Sequence, residues 1–221
     1  YLRGVKENTT ILFGAMNTAG GSLKWFRDAL YGGETPQNDA YPRINKEIEA
    51  GAKNPTGLIF LPYMAGERAP IWDPNARGTF MGLNMNTTRA EMLRAVMEGT
   101  SFALQDNLDQ AIKTGIPIRD FICCGGCSKS DIWLKIKASV IGQEIKIPSV
   151  NLGAPGGLGY MNAAFMGEYK TPEDASRAAL QIKKIVEPVK EWIPIYKELY
   201  QIYLDSYQSL KSQFAALAQI K

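Results

Sequence analysis

The longest helical pattern of apolar and polar positions in the chain begins at residue 88. Thr88 and Glu91 form a Thr-x-x-Glu capping box, in which two side chains satisfy free N–H groups at a helix start. The apolar positions that follow recur every three or four residues, which predicts a helix with one buried stripe. Gly99 lies on that stripe and indicates close approach to a sheet. The stripe comprises Met92, Ala95, Val96, Gly99, Phe102 and Ala103.

Two short apolar runs, at 118–124 and 144–147, have the length of buried strands. Between them the spacing predicts a helix over 130–141, with Ser128 and Asp131 as a Ser-x-x-Asp capping box. Helices that alternate with strands in this way indicate the α/β fold class.

Three further segments are assigned from their glycine, proline or aromatic content. Residues 32–56 begin with a run rich in Gly, Pro and Asn, which predicts an exposed excursion. Residues 156–164 are typical of a small-residue helix packed on a sheet, because Pro148 and Pro155 interrupt the strand that a dinucleotide-binding turn needs. Four tyrosines near the end recur at helical spacing and predict a helix that lays an aromatic face on its own domain, with a partner surface as the alternative. They are Tyr196, Tyr200, Tyr203 and Tyr207.

The composition is typical of a single soluble globular domain, with 45% hydrophobic and 21% charged residues. The formal charge is only +3 and basic residues are scattered among acidic ones, so no nucleic acid is expected as a partner. No apolar stretch approaches the roughly 18 residues of a membrane span, and no secretory signal is visible, so no membrane partner is expected. Three cysteines, an odd number, favour a reducing cytoplasmic location over a disulfide framework.

Candidate chemistry lies where the predicted strand 121–124 ends in Gly125-Gly126. Without side chains at these glycines, a flat base or a ribose can approach bare backbone. The N–H groups at the mouth of the turn suit a polar or anionic ligand. The pattern therefore predicts a nucleotide pocket. A Gly-Gly turn that binds nothing is the alternative, since many α/β proteins contain one.

The three cysteines lie within five residues of this turn, but they do not predict a metal site. A structural zinc site needs four ligands, and the chain contains no histidine. Cys123 and Cys124 would point to opposite faces of a strand, and we expect both to be buried as small apolar residues. Cys127 lies just before a predicted helix start, a position that lowers a thiol pKa, so it is the expected target of alkylation or oxidation.

Two longer motifs resemble those of the FGGY family of carbohydrate kinases. Residues 57–83 contain Gly-Glu-Arg-x-Pro-x-Trp-Asp followed by Pro-x-Ala-Arg-Gly, and with residues 91–98 they are similar to the family's second signature. Residues 125–130, Gly-Gly-Cys-Ser-Lys-Ser, resemble its adenosine motif. The resemblance extends from about Phe13 to the C terminus. The Gly-Glu-Arg variant is more similar to xylulokinases and gluconokinases than to glycerol kinases.

The resemblance implies an actin-like, ribonuclease H-like ATPase domain, in which helices flank a mixed sheet. It implies transfer of the ATP γ-phosphoryl group to a sugar hydroxyl, with a pentulose such as xylulose as the acceptor and gluconate as the alternative. Residues 1–221 would then be a single C-terminal nucleotide-binding domain of a two-domain sugar kinase. The sugar substrate would be held by an N-terminal domain that is missing from this sequence.

The resemblance also implies roles for particular residues. Gly125, Gly126 and Ser130 would contact the adenosine. Gly20 and Lys24 would face the nucleotide phosphates and ribose from the opposite wall of the cleft, and Mg²⁺ would accompany ATP. The family's catalytic aspartate, in a Gly-Asp-Asn/Gln setting, has no counterpart here. No catalytic residue or metal ligand is therefore assigned, and the chain alone is expected to be inactive.

Several points stay open at this stage. Glu67, Arg68, Asp73 and Arg77 form a polar cluster that either lines the interdomain cleft or locks a hairpin by ion pairs. Another actin-like ATPase and a non-catalytic nucleotide-binding module are alternative functions. A homodimer also stays open as an assembly.

Overall fold

The computed structural model describes residues 2–3, 9–30, 37–150 and 153–220. Helices dominate this part of the chain, and the strands are short. The helices are α1 (Ala19–Leu30), α2 (Gln37–Gly51), α3 (Arg89–Lys113), α4 (Asp131–Ile141), α5 (Gly153–Phe165), α6 (Pro172–Ala179) and α7 (Trp192–Gln219), with a 3-10 helix at Gly126–Lys129. The strands are β1 (Leu2–Arg3), β2 (Thr10–Ile11), β3 (Ile59–Leu61), β4 (Thr79–Met81), β5 (Ile145–Pro148) and β6 (Ile182–Val186).

Helix α3 is the centre of the main core, as its apolar stripe predicts. Thr88 and Glu91 form the predicted capping box at its start. The helix lies so close to β3 that a Cβ atom on Gly99 would collide with the carbonyl oxygen of Phe60. The prediction of a close approach at Gly99 is therefore confirmed, and the absence of a side chain there sets the distance between helix and strand.

The strands pair as three two-stranded antiparallel sheets, β1–β2, β3–β4 and β5–β6, among the described residues. In the last sheet Ile145 pairs with Val186. The run 118–124, expected to be a full strand, is reduced to one parallel bridge between Ile122 and Lys146. Its residues alternate between half-buried and exposed, so this run lies at an edge of the sheet and is not a buried central strand. Together β5, β6 and the bridge give this sheet a mixed character.

Residues 37–51 differ from the predicted exposed excursion. They form α2, which buries Ala40, Ile44 and Ile48 completely. Their spacing of four residues places them on one face of a helix, a pattern that the preceding turn residues and Pro42 obscure in the sequence. Residues 32–36 of the same prediction lie outside the described residues.

The tyrosines of α7 pack against the protein's own core, which confirms that interpretation. Tyr203 is fully buried and its hydroxyl shares a 2.6 Å hydrogen bond with that of Tyr63. Tyr196 is also buried, and the Tyr207 hydroxyl donates to Asp73 Oδ2 at 2.9 Å. The predicted small-residue helix at 156–164 falls within α5, but its predicted close packing on a sheet is wrong, because a Cβ atom at Gly157 or Gly159 would meet nothing within 4 Å. No helix in the described part of the chain is both long and apolar enough to cross a membrane.

Candidate functional site

A cleft of about 750 Å³ opens between α1, the start of α2 and the corner where the 3-10 helix meets α4. It brings together four of the five residues predicted for nucleotide binding, Gly20 and Lys24 on one side and Gly126 and Ser130 on the other. The fifth, Gly125, lies next to the wall in sequence but does not line it. The cleft is lined by Ala19, Gly20, Leu23, Lys24, Arg27, Tyr41, Pro42, Asn45, Gly126, Cys127, Lys129, Ser130, Trp133 and Lys137.

The two glycines of the turn have different roles. Gly125 has φ +85° and ψ −164°, a conformation that only glycine adopts readily, so it makes the turn possible. Gly126 does not have a positive φ, and a Cβ atom there would meet nothing within 4 Å. Gly126 is therefore not required by the backbone or by neighbouring protein atoms. Its lack of a side chain leaves space at the wall of the cleft.

Ser130 serves the fold at the edge of the cleft. Its hydroxyl accepts a hydrogen bond from the Trp133 N–H at 3.3 Å, as the N-cap of α4, and donates to Asn45 Oδ1 on α2 at 2.9 Å. The predicted capping box of Ser128 and Asp131 is wrong. Because the 3-10 helix precedes α4, the N-cap is Ser130 and not Ser128, and the Ser128 hydroxyl donates instead to the Gly125 carbonyl at 2.7 Å. The predicted contact of Ser130 with adenosine stays a prediction.

Helix α1 begins at Ala19, so Gly20 lies within its first turn. Lys24 follows four residues later and therefore shares its face, the one that borders the cleft. A Cβ atom on Gly20 would meet nothing within 4 Å, so this wall is also open. Lys24 is solvent-exposed and can extend into the cleft.

The described lining of the cleft carries positive charge. Its lining includes Lys24, Arg27, Lys129 and Lys137, and none of its described residues is Asp or Glu. Arg27 is held by Asp28, whose Oδ1 accepts from its Nε at 2.7 Å, and by the Tyr41 ring beneath its guanidinium. Three lysines, Lys24, Lys129 and Lys137, also line the space, and their charge suits a polyphosphate.

Sequence reasoning missed the contribution of α2 to the lining of the cleft. Asn45 ties α2 to the start of α4 through Ser130, and Tyr41 lies against Arg27. The signal that could have found them is the apolar period at 40, 44 and 48, because it fixes the face of α2 on which residues 41 and 45 follow. On the other wall, Lys137 Nζ lies 4.9 Å from the ring centre of Trp133.

The cysteines are placed differently from our expectation. Cys124 is exposed and Cys123 is half-buried, so the prediction that both are buried is wrong. They do point to opposite sides, since Cys123 packs inward on the small core beneath β5. Cys127 lines the cleft, and a hydrogen bond from Cys123 lowers its pKa to about 5. Within the described residues, no three His, Cys, Asp or Glu side chains converge as metal ligands would.

The polar cluster at 67–77 locks its hairpin by hydrogen bonds. Buried Glu67 accepts from the backbone N–H groups of Asn17 and Arg68 through Oε1, at 2.8 and 2.7 Å. Burial raises its pKa, and these bonds oppose the rise. The backbones of Glu67 and Asp73 pair as an antiparallel bridge.

Among the described residues, neither cation of the cluster makes an ion pair that could lock the hairpin. The guanidinium of exposed Arg68 lies 5.8 Å from the ring centre of Trp72, which is also exposed. Arg77 donates to the carbonyls of Pro74 and Ala76, both at 2.9 Å. The two carboxylates therefore hold the hairpin, whereas the side chains of Arg68 and Trp72 lie together on the solvent-exposed surface.

A sequence model of the C-terminal domain of the FGGY family of carbohydrate kinases matches residues 3–168. The chain belongs to this family. It has the actin-like, ribonuclease H-like ATPase fold of the FGGY kinases, as the resemblance implied. The predicted alternative, an actin-like ATPase of another family, is thereby excluded.

Named relatives of this FGGY domain include kinases for two kinds of acceptor. It is 29% identical over 213 residues to a xylulose kinase of Staphylococcus epidermidis, covering 96% of this chain and 42% of the relative. It is 26% identical over 234 residues to a gluconokinase of Bacillus licheniformis, covering 99% of this chain and 44% of the relative. The chain therefore spans about two fifths of the length of these relatives.

Solved structures show the same division. A ligand-bound xylulose kinase from Lactobacillus acidophilus superimposes with a TM-score of 0.81 at 28% identity, over 92% of this chain and 40% of that one. A gluconate kinase from the same organism gives a TM-score of 0.80 at 28% identity, with the same two coverages. The FGGY domain described here is thus equally similar in backbone to a xylulose kinase and to a gluconate kinase.

Proposed function

We propose that this domain is the ATP-binding half of a carbohydrate kinase that transfers the ATP γ-phosphoryl group to a sugar hydroxyl. The observation that carries the proposal is the cleft itself. Two stretches of open backbone, at Gly20 and Gly126, face the same space, and its described lining contains three lysines and no acidic residue. A flat nucleoside needs the first feature and a polyphosphate needs the second.

The residues of the cleft would divide the nucleotide between them. Gly126, next to the positive-φ turn residue Gly125, offers space for the base or ribose. Lys24 on the opposite wall places its charge near the phosphates. Ser130 holds the corner of α4 against α2 through Asn45, which keeps the two walls at a fixed spacing. Phosphoryl transfer depends mainly on such positioning and on charge neutralisation.

Magnesium would come with the nucleotide. Mg²⁺ keeps several waters and is usually bound through one or two carboxylates together with substrate phosphates. The described part of the chain offers no converging cluster of carboxylates, so we propose that the phosphates and residues outside this part hold the ion. Its chemistry would be to neutralise charge that develops on the transferred group.

The remaining parts of the activity belong to the rest of the enzyme. We propose that a separate N-terminal domain holds the sugar and supplies the catalytic base, because the chain covers only 42% of the xylulose kinase that it matches. Closure of the two domains would then exclude water from the reacting groups. Xylulose is the acceptor that we propose, with gluconate as the second candidate, and we place the enzyme in the cytoplasm.

A coupled ADP-release assay tests this proposal. The full-length kinase that contains this chain should turn over ATP with xylulose or with gluconate, and poorly with glycerol. The 221-residue chain should bind a non-hydrolysable ATP analogue without any sugar-dependent turnover. Turnover by the 221-residue chain would show that the chemistry is not divided in this way. Binding without turnover of any acceptor by the full-length protein would favour a non-catalytic nucleotide-binding module.

A further inference from the structure

Two of the three cysteines form a sulfur pair beside the cleft. Cys127 lies on the 3-10 helix and lines the cleft. Cys123 lies on the edge segment, residues 118–124, where its N–H donates to the Lys146 carbonyl at 3.0 Å. Their Sγ atoms are 3.5 Å apart. Cys124 is exposed on the opposite side of the edge segment. The turn at Gly125 therefore brings Cys123 and Cys127 together. Cys124, which is not part of the pair, serves as a control thiol in the same segment.

The surroundings of the pair give the two sulfurs different roles. The hydrogen bond between them lowers the pKa of Cys127 to about 5, with help from the charge of Lys137, and raises the pKa of Cys123. Cys127 is accordingly a thiolate at neutral pH, and Cys123 is a thiol that donates its proton to it. A thiolate attacks an oxidant, and a neighbouring thiol within reach can then resolve the product.

We propose that Cys127 is a hydroperoxide-reactive thiolate at the wall of the cleft, and that Cys123 resolves it into an intrachain disulfide. In the first step the Cys127 sulfur attacks one peroxide oxygen, the O–O bond breaks, and the products are a sulfenic acid and hydroxide. In the second step the Cys123 sulfur displaces the sulfenic oxygen, which leaves as water with the Cys123 proton. The hydroperoxide is reduced by two electrons, and the two thiols are oxidised by two.

Closure of this bond changes the cleft. The sulfurs must approach from 3.5 Å to about 2.05 Å, so the Cys127 side chain that lines the cleft is drawn toward residues 118–124. Gly125, at φ +85°, is the backbone position that allows the two cysteines to face each other across the turn. A nucleotide over Gly126 would in turn cover Cys127. This coupling, unlike the disulfide itself, rests on the proposed nucleotide function.

Mass spectrometry of the full-length kinase tests the disulfide. Trypsin releases residues 120–129, which contain all three cysteines, as one peptide. After hydrogen peroxide this peptide should lose two hydrogens and keep one alkylatable thiol, Cys124. The matched control Cys124→Ser should still close the bond. Cys123→Ser should instead accumulate a sulfenic acid at Cys127 that dimedone traps.

Three results would overturn the disulfide proposal. These are a peptide that keeps three alkylatable thiols at every peroxide concentration, a disulfide that disappears in Cys124→Ser, and dimedone labelling at a position other than Cys127 in Cys123→Ser. A circular dichroism spectrum unchanged from wild type shows that each variant is folded.

The pH dependence of alkylation tests the assigned roles. Iodoacetamide should modify Cys127 at a nearly constant rate down to about pH 6, with a fall as the pH passes through about 5, because the thiolate is then protonated. In Cys123→Ser the hydroxyl is a different donor, so the fall should move to another pH. An unchanged profile in Cys123→Ser would show that Cys123 does not set the reactivity of Cys127. The other charged groups that face this space from α4, the 3-10 helix and α1 are Lys137, Lys129, Lys24 and Arg27.

Protection by nucleotide tests the coupling. A non-hydrolysable ATP analogue at ten times its Kd should slow peroxide oxidation of Cys127 by about tenfold, because only the free protein reacts. If calorimetry shows binding but oxidation is not slowed, the coupling is wrong and the proposed function stands. If the analogue does not bind, the proposed function fails, whereas the disulfide result is unaffected.

Discussion

The Arg94 guanidinium and the Glu98 carboxylate, one turn apart on α3, form an ion pair that is closed to water. Arg94 Nε lies 2.8 Å from Glu98 Oε1, and neither side chain has any exposed surface. Tyr196 on α7 completes the pair, since its hydroxyl accepts from Arg94 Nη2 at 2.8 Å and donates to Glu98 Oε1 at 2.9 Å. Burial raises the pKa of Glu98, and the Arg94 charge opposes that rise.

We expect Arg94→Met to lower the free energy of unfolding by about 3–5 kcal/mol, because it leaves the buried Glu98 carboxylate without its counter-charge. Denaturant unfolding at neutral pH measures this. Arg89→Met on the same helix is the matched control: Arg89 pairs with Glu47 at 2.7 Å, but its side chain is 49% exposed. The control should cost about 0–1 kcal/mol. Equal losses in the two variants would mean that burial does not determine the strength of the Arg94 pair.

The close contact of α3 with β3 gives a second prediction. Gly99→Ala places a methyl group against the Phe60 carbonyl oxygen and should destabilise the domain by about 1–3 kcal/mol or more, since helix and strand must separate. Gly157→Ala in α5 adds the same methyl group where nothing lies within 4 Å. This control should be neutral or stabilising by up to about 1 kcal/mol. Thermal unfolding of both variants compares them, and a Gly99→Ala protein as stable as wild type would contradict the packing described.

The hairpin at 67–77 gives a third prediction, which separates the two neighbours Glu67 and Arg68. Glu67→Ala removes the acceptor of two backbone N–H groups and should cost about 1–3 kcal/mol of stability. Arg68→Ala alters an exposed side chain and should change stability by no more than about 0.5 kcal/mol. In the full-length enzyme, a large change in the KM for sugar with Arg68→Ala would place this residue at the interdomain cleft. A greater loss of stability with Arg68→Ala than with Glu67→Ala would reverse the assignment.

The fold could be predicted from sequence where the pattern is contiguous. A capping box and an uninterrupted apolar stripe predict α3, and the spacing of the tyrosines predicts α7. Helix α2 does not, because its buried face consists of only a few apolar residues amid polar ones, after a turn-rich run. The edge segment 118–124 looks like a buried central strand because of its apolar residues, but in the structure these residues are half-buried or exposed and make a single bridge to Lys146.

The candidate site was predicted in its parts but not in its connections. Glycines that leave backbone open, and a lysine one helical turn from a glycine, are local patterns that a sequence displays. The hydrogen bond from Ser130 to Asn45 joins residues 85 positions apart, and the bond from Tyr196 to Glu98 joins residues 98 apart. Such pairs depend on how the elements pack, which local spacing does not encode. The positive φ at Gly125, which Gly126 does not share, is also visible only in three dimensions.

The central claim is that the cleft beside Gly126 binds the nucleotide, and calorimetry with a non-hydrolysable ATP analogue tests it most directly. Because a Cβ atom at Gly126 would meet no protein atom within 4 Å, we expect Gly126→Val to fold and to place its methyl groups in the cleft. In the full-length protein, we expect at least a tenfold weaker Kd, about 1.4 kcal/mol, with sugar binding much less affected. Gly126→Ala should give a smaller loss, and Gly157→Ala none. A folded Gly126→Val protein that binds the analogue as tightly as wild type would contradict the claim, and the turn at 125–126 would then be only a turn.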